Sequence, residues 1–214
     1  MTKKSLSKRF FSIIGCRQKE GFKMEIKTSK FVKGIIGTDK ILEDGKPQIV
    51  FIGRSNVGKS SVINSLAKRN NLVKSGSRPG KTQQINFFLI NEKVYFVDLP
   101  GYGFITASLE RKEKIRKMIL WYLFYSEVKF KKVVLIIDAL TGPSEFDKEI
   151  LGLLNKNEYP IILVANKIDK LKKNKLTGRL KVLQEETGHN EIILYSAKTK
   201  KGRDELLAKI FIGR

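Results

Sequence analysis

The chain has 214 residues, 43 of them Lys or Arg against 21 Asp or Glu, for a formal net charge of +22. Hydrophobic residues at 41% and 13 Phe exclude a disordered basic tail, and the length suits one domain with a buried core. Apolar runs such as 133–137 are too short to cross a bilayer, a single Cys excludes an internal disulfide framework, and a single His leaves little for His-based catalysis.

A charge this large points towards an anionic partner, with nucleic acid first. Residues 1–23 carry seven basic residues and one acid, and residues 24–214 carry the other 36 and 20. The body is therefore basic in its own right. The first 23 residues hold Phe10-Phe11, Ile13-Ile14 and several Ser. That composition suits an organellar transit peptide or a membrane-surface helix. A third reading starts translation at Met24, with Lys19-Glu20-Gly21 arising from a purine-rich ribosome-binding sequence. The domain expectation is a basic extension over 1–23, disordered or a mis-assigned start, and one domain over 24–214. A cytoplasmic location is expected.

After residue 45 strands alternate with helices. Gln48–Gly53 reads as a strand and Ser60–Lys68 as a helix. Ile85–Ile90 and Lys93–Val97 form a hairpin around Asn91-Glu92. Glu113–Phe124 places Ile115, Met118, Ile119 and Tyr122 on one helical stripe. Then follow a strand over Val133–Asp138, a helix over Glu145–Leu154 and a strand over Ile161–Ala165. A helix over Leu176–Glu186, a strand over Glu191–Tyr195 and a helix over Asp204–Phe211 complete the chain. Continuous apolar strands alternating with helices predict an α/β fold. Its mostly parallel sheet has six strands, one antiparallel edge strand from the hairpin, and helices on both faces.

Gly53-Arg54-Ser55-Asn56-Val57-Gly58-Lys59-Ser60 fits G-x-x-x-x-G-K-[ST], between a strand and a helix, as a P-loop requires. Glycines let backbone amides wrap phosphate oxygens, and the helix N-terminus adds its dipole. Lys59 supplies a point charge for the β- and γ-phosphates, and the Ser60 hydroxyl is a hard ligand suited to Mg²⁺. Asp98-Leu99-Pro100-Gly101 ends another strand. Its Asp can hold Mg²⁺ through water, and the Gly101 amide can reach the γ-phosphate. Asn166-Lys167-Ile168-Asp169 follows a third strand, where an amide and a carboxylate suit the edge of guanine. Alternatively, Asp169 simply caps a helix. Ser196-Ala197-Lys198 follows a fourth strand, where a backbone amide can meet the base oxygen. Four such motifs, in this order and each at a strand's carboxyl end, resemble the small GTPase fold and favour GTP over ATP.

The stretch Ser77-Arg78-Pro79-Gly80-Lys81-Thr82-Gln83-Gln84-Ile85-Asn86, with the P-loop, Ser61 and Asp98-Leu-Pro-Gly-Tyr-Gly103, closely resembles the EngB family, also called YihA or YsxC. That family belongs to the TrmE-Era-EngA-EngB-Septin-like GTPases. The resemblance covers about residues 24–214 and implies a P-loop GTPase, or G domain, linked to ribosome assembly and cell division. It implies that Thr82, in the first switch, ligates Mg²⁺ beside the γ-phosphate, flanked by Gly80, Lys81, Gln83 and Gln84. It places Ser61 near the α-phosphate and Tyr195 to Ala197 near guanine. Asn56 matches a position that helps bind potassium in related GTPases. Catalysis is expected from Lys59, Thr82 and Gly101, and metal binding from Ser60, Thr82 and Asp98. Asp138-Ala-Leu-Thr-Gly-Pro143 lacks the basic residue that the family often carries shortly after this Asp.

The residue after Gly101, where Ras-like enzymes place a water-orienting Gln, is Tyr102. Slow intrinsic hydrolysis is therefore expected, raised by potassium or by a partner. The expected partners are GTP or GDP and the large ribosomal subunit with its rRNA, met by basic faces of a monomer. The other reading is a GTP-dependent protein-interaction switch acting directly in septation.

Overall fold

The computed structural model describes residues 25–73, 84–103, 108–128 and 130–211. Its strands are β1 (Ser29–Ile35), β2 (Gln48–Gly53), β3 (Ile85–Ile90), β4 (Val94–Asp98), β5 (Phe130–Asp138), β6 (Ile161–Asn166) and β7 (Ile192–Leu194). Its α-helices are α1 (Lys59–Ala67), α2 (Leu109–Phe124), α3 (Glu145–Lys156), α4 (Leu176–Thr187) and α5 (Arg203–Phe211).

The strands form one sheet in the order β1-β3-β4-β2-β5-β6-β7. Strand β2 pairs in parallel with β4 and β5, and β5, β6 and β7 continue in parallel. The hairpin pairs β3 antiparallel to β4 through the turn at Asn91-Glu92, both residues at positive φ. The mostly parallel α/β sheet expected from the sequence is present, with its antiparallel pairing at one end. It holds a seventh strand that the sequence pattern did not show. Strand β1 pairs antiparallel to β3 and takes the edge position.

Side chains alternate between the two faces because the strand period is two. On β2, Val50 and Ile52 join one core cluster, while Ile49 and Phe51 join the other. The first cluster takes Ile115, Ile119 and Tyr122 of α2, Ile150 and Leu154 of α3, and Leu183 of α4. The second takes Val62, Ile63 and Leu66 of α1 and Leu206 and Ile210 of α5. Helices thus cover both faces, which explains why the central strands read as unbroken apolar runs. Each such aliphatic side chain, once fully buried, contributes about 1.5–3 kcal/mol. Among the described residues no helix is long and apolar enough to cross a membrane.

Candidate functional site

The carboxyl ends of five parallel strands lie along one edge of the sheet. Register pairs Phe51 with Asp98, Gly53 with Ile136, Asp138 with Asn166, and Ala165 with Leu194. Ligands of such sheets bind beyond this edge.

The loop after β2 is shaped by two glycines. A Cβ on Gly53 would stand 2.5 Å from the Ile136 carbonyl oxygen, so the loop can leave the sheet there only as glycine. Gly58 has φ +93°, in the left-handed region, and a Cβ there would collide with the Asn166 amide. Asn56, exposed on the same loop, also has positive φ. Gly58 caps α1 without a side-chain hydrogen bond, so the first amides of α1 keep their donors for an anion.

Lys59 and Asp98 are both buried and form an ion pair across the first turn of α1 and the end of β4. Ser60 follows in the same turn of α1, and Ser61 is exposed beside it. The Ser60 hydroxyl and the Asp98 carboxylate are hard oxygen donors that fit Mg²⁺. Among the described residues no group of three His, Cys, Asp or Glu could hold a metal ion.

The 98–103 loop is fastened to the P-loop by its backbone. Leu99 N donates to Phe51 O at 3.1 Å and Ser55 N donates to Tyr102 O at 2.7 Å. Leu99 and Pro100 are buried. Gly101 packs against Ser55, and a Cβ on Gly101 would meet Ser55 Oγ at 3.0 Å. The Tyr102 ring meets Phe146 edge-on at 4.7 Å, and its hydroxyl bonds to Asp147. Burial pushes the Tyr102 phenol well above its ordinary pKa, and the Asp147 carboxylate adds to this. The phenol stays neutral and committed to α3.

Asn166 joins three segments at the base end. Its Nδ2 donates to Val57 O at 2.8 Å, and its Oδ1 accepts from Ala197 N at 3.2 Å. These two bonds tie the P-loop to the Ser196–Ala197 loop and leave the second N–H of the amide available. Asp169 is exposed, with one carboxylate oxygen accepting from Ser196 Oγ at 2.6 Å. It lies inside a short 3-10 helix, Ile168–Lys170, rather than capping it. Lys167 pairs with Asp138 at 2.7 Å, and Ile168 N donates to Tyr195 O at 3.2 Å. The Tyr195 side chain turns inwards, its hydroxyl donating to Ser65 Oγ at 2.9 Å, and burial raises its pKa.

The structure therefore brings together residues 53–61, 98–101, 166–169 and 195–197. Gln84, at the entry to β3, lays its side chain against Gly34 of β1. Gly80, Lys81, Thr82 and Gln83 lie outside the described residues. Two contributors carried no sequence signal. Arg179 of α4 donates to Ala139 O at 2.7 Å and brings a guanidinium to the 138–142 loop, where the chain has no local basic residue. Asp147 anchors Tyr102. Both act across the fold, so local spacing could not reveal them.

A family model described as "50S ribosome-binding GTPase" matches residues 48–167, and the elongation factor Tu GTP-binding domain matches residues 128–212. A "Probable GTP-binding protein EngB" of Desulfotalea psychrophila is 42% identical over 189 residues, spanning 86% of this chain and 96% of its own. Its Bacillus subtilis counterpart is 41% identical over 185 residues, spanning 85% and 94%. The chain belongs to the EngB family of GTP-binding proteins. A crystal structure of an EngB protein matches with a TM-score of 0.67 at 28% identity, over 77% of this chain and 96% of that one. Aquifex aeolicus Era bound to GDP and AlF4⁻ shares the fold, with a TM-score of 0.59 at 24% identity, over 77% and 55%. As an EngB family member the chain is a GTP-binding GTPase.

Proposed function

We propose that the chain acts as a slow, Mg²⁺-dependent GTP switch in assembly of the large ribosomal subunit, and so in normal division. One observation carries the ribosomal part. Lys170, Lys172, Lys173 and Lys175 follow the Asn166–Asp169 loop, and Lys198, Lys200 and Lys201 follow the Ser196–Ala197 loop. All are exposed, and among the described residues none pairs with an acid. A cationic surface thus borders the base pocket on two sides, suited to the phosphates of folded RNA.

Ser60, Asp98 and Thr82 would hold Mg²⁺, which neutralises charge developing on the transferred phosphoryl group. Lys59 adds a second positive charge and the Gly101 amide a hydrogen bond. Tyr102 cannot orient water, because its phenol is bonded to Asp147. This supports a low intrinsic rate. A potassium ion near Asn56, or a cation from the ribosomal partner, supplies the missing charge, worth about three to five decades in rate. Thr82 and Gly101 both report the γ-phosphate, so the switches order with GTP and relax with GDP.

Co-sedimentation with large-subunit particles tests this, in GDP against a non-hydrolysable GTP analogue over a salt series. Binding that needs the triphosphate and falls steeply with salt supports the reading. Binding indifferent to nucleotide and salt overturns it and favours a direct protein target in septation.

A further inference from the structure

Among the described residues, Ser55 carries a buried polar atom without a hydrogen-bond partner, on the P-loop beside Gly101. Its Oγ is buried, and among the described residues nothing hydrogen-bonds it. Buried hydroxyls without partners are costly, and one beside a ligand site is a candidate for binding the ligand. Its direction is set by two contacts. The backbone amide is fixed to Tyr102 O at 2.7 Å, and Oγ stands 3.0 Å from where a Cβ on Gly101 would lie. The hydroxyl therefore faces Gly101, whose amide is the group expected to meet the γ-phosphate.

The Tyr102 hydroxyl does not compete for this place, because it is bonded to Asp147. A Cβ on Gly101 would sit tightly against Ser55, which would have to give by a few tenths of an ångström. We propose that Ser55 is a γ-phosphate-reading residue of the P-loop. Its hydroxyl donates to a γ-phosphoryl oxygen beside the Gly101 amide, a bond available to GTP and absent with GDP. The P-loop thereby gains a side-chain preference for the triphosphate, independent of Thr82. The inference rests on GTP binding alone and not on the ribosomal reading.

Ser55→Ala and Ser55→Thr test it on the isolated full chain. The probes are GDP and a non-hydrolysable GTP analogue, with single-turnover hydrolysis of GTP alongside. A hydrogen bond to a charged oxygen predicts that Ser55→Ala loses about tenfold or more in affinity for the analogue. GDP affinity stays within about twofold, hydrolysis slows by a similar factor, and Ser55→Thr restores both. Because GDP affinity reports an intact fold, a collapsed P-loop is told apart from a lost contact. Equal losses for the two nucleotides, an unchanged preference in Ser55→Ala, or failure of Ser55→Thr to restore it would each overturn the proposal. Failure of ribosome co-sedimentation leaves these affinities unaffected, so the two readings fail separately.

Discussion

Tyr102 donates its phenolic hydrogen bond to Asp147, a carboxylate only 2% exposed in the first turn of α3. Asp147 also accepts from Ser144 N at 2.7 Å and Ser144 Oγ at 2.6 Å, which makes it the centre of the α3 capping box. The carbonyl of Tyr102 is held by Ser55 N. The residue after Gly101 is therefore fastened twice, to the P-loop by its backbone and to α3 by its ring. Any movement of Gly101 towards a phosphate pulls on both.

Tyr102→Phe keeps the ring against Phe146 and removes only the hydroxyl. Asp147 then loses one partner in a buried place, at a cost of about 1–3 kcal/mol. The melting temperature falls by roughly 2–12 °C. If the phenol is structural, as its bond to Asp147 indicates, single-turnover hydrolysis stays within about threefold. Thermal melts and one-turnover assays on the same preparation check this. A hydrolysis loss of decades with an unmoved melting temperature would place the phenol in the reaction.

Gly58→Ala strains the P-loop at its left-handed residue and drives a methyl into the Asn166 amide. The backbone cost is about 1–2 kcal/mol, and the lost Asn166–Val57 bond adds about 1 kcal/mol. GDP affinity should fall at least about tenfold. Asn166→Ala removes the same bond without the strain, so its loss should be the smaller one. Calorimetric titration with GDP ranks the two. The reverse order would show that the clip, not the backbone, governs the loop.

Most of this framework was legible because the central strands are apolar on both faces and end in residue types with chemical meaning. Gly53 to Ser60 could be placed at the end of β2 from the sequence alone, since only a strand–loop–helix accommodates that spacing. Strand β1 was not legible. Its residues from Lys30 to Lys33 are exposed and two are lysines, so it lacks the apolar run that marks a strand. Charges at a sheet edge also discourage pairing with other chains. The contacts Tyr102–Asp147 and Arg179–Ala139 were out of reach for a different reason. They join residues 45 and 40 positions apart, and periodicity reports only near neighbours. Asn166 shows a third limit, because its motif could not reveal that its side chain also ties together the backbones of two loops, through Val57 O and Ala197 N.

Asp169→Asn should change which base the pocket accepts. The carboxylate can accept from the two N–H donors on the edge of guanine, whereas an amide offers one acceptor and one donor. Each lost charge-assisted bond costs about 1.5–3 kcal/mol, so GDP affinity falls by at least about tenfold. A base bearing a carbonyl in place of the amino group, as in xanthosine diphosphate, should recover much of the loss. Competition between the two diphosphates for wild type and variant measures the exchange. An unchanged preference for guanine would move base reading to another residue.

Stability should depend on pH through Lys131, at the amino end of β5, far from the nucleotide edge. Burial pushes its ammonium down to about 7, and the charge of Lys132 adds to this. In the unfolded chain the same group keeps its proton to its ordinary value of 10.5. Between these two values the unfolded state binds the extra proton, so stability rises with pH across that window and is lowest below it. Lys131→Met removes the proton from both states. The variant should therefore be more stable than wild type at and below pH about 7, and the difference should shrink towards pH about 10. Urea midpoints measured across that range check the sign. Parallel pH profiles for the two proteins would show that Lys131 keeps its charge in the fold.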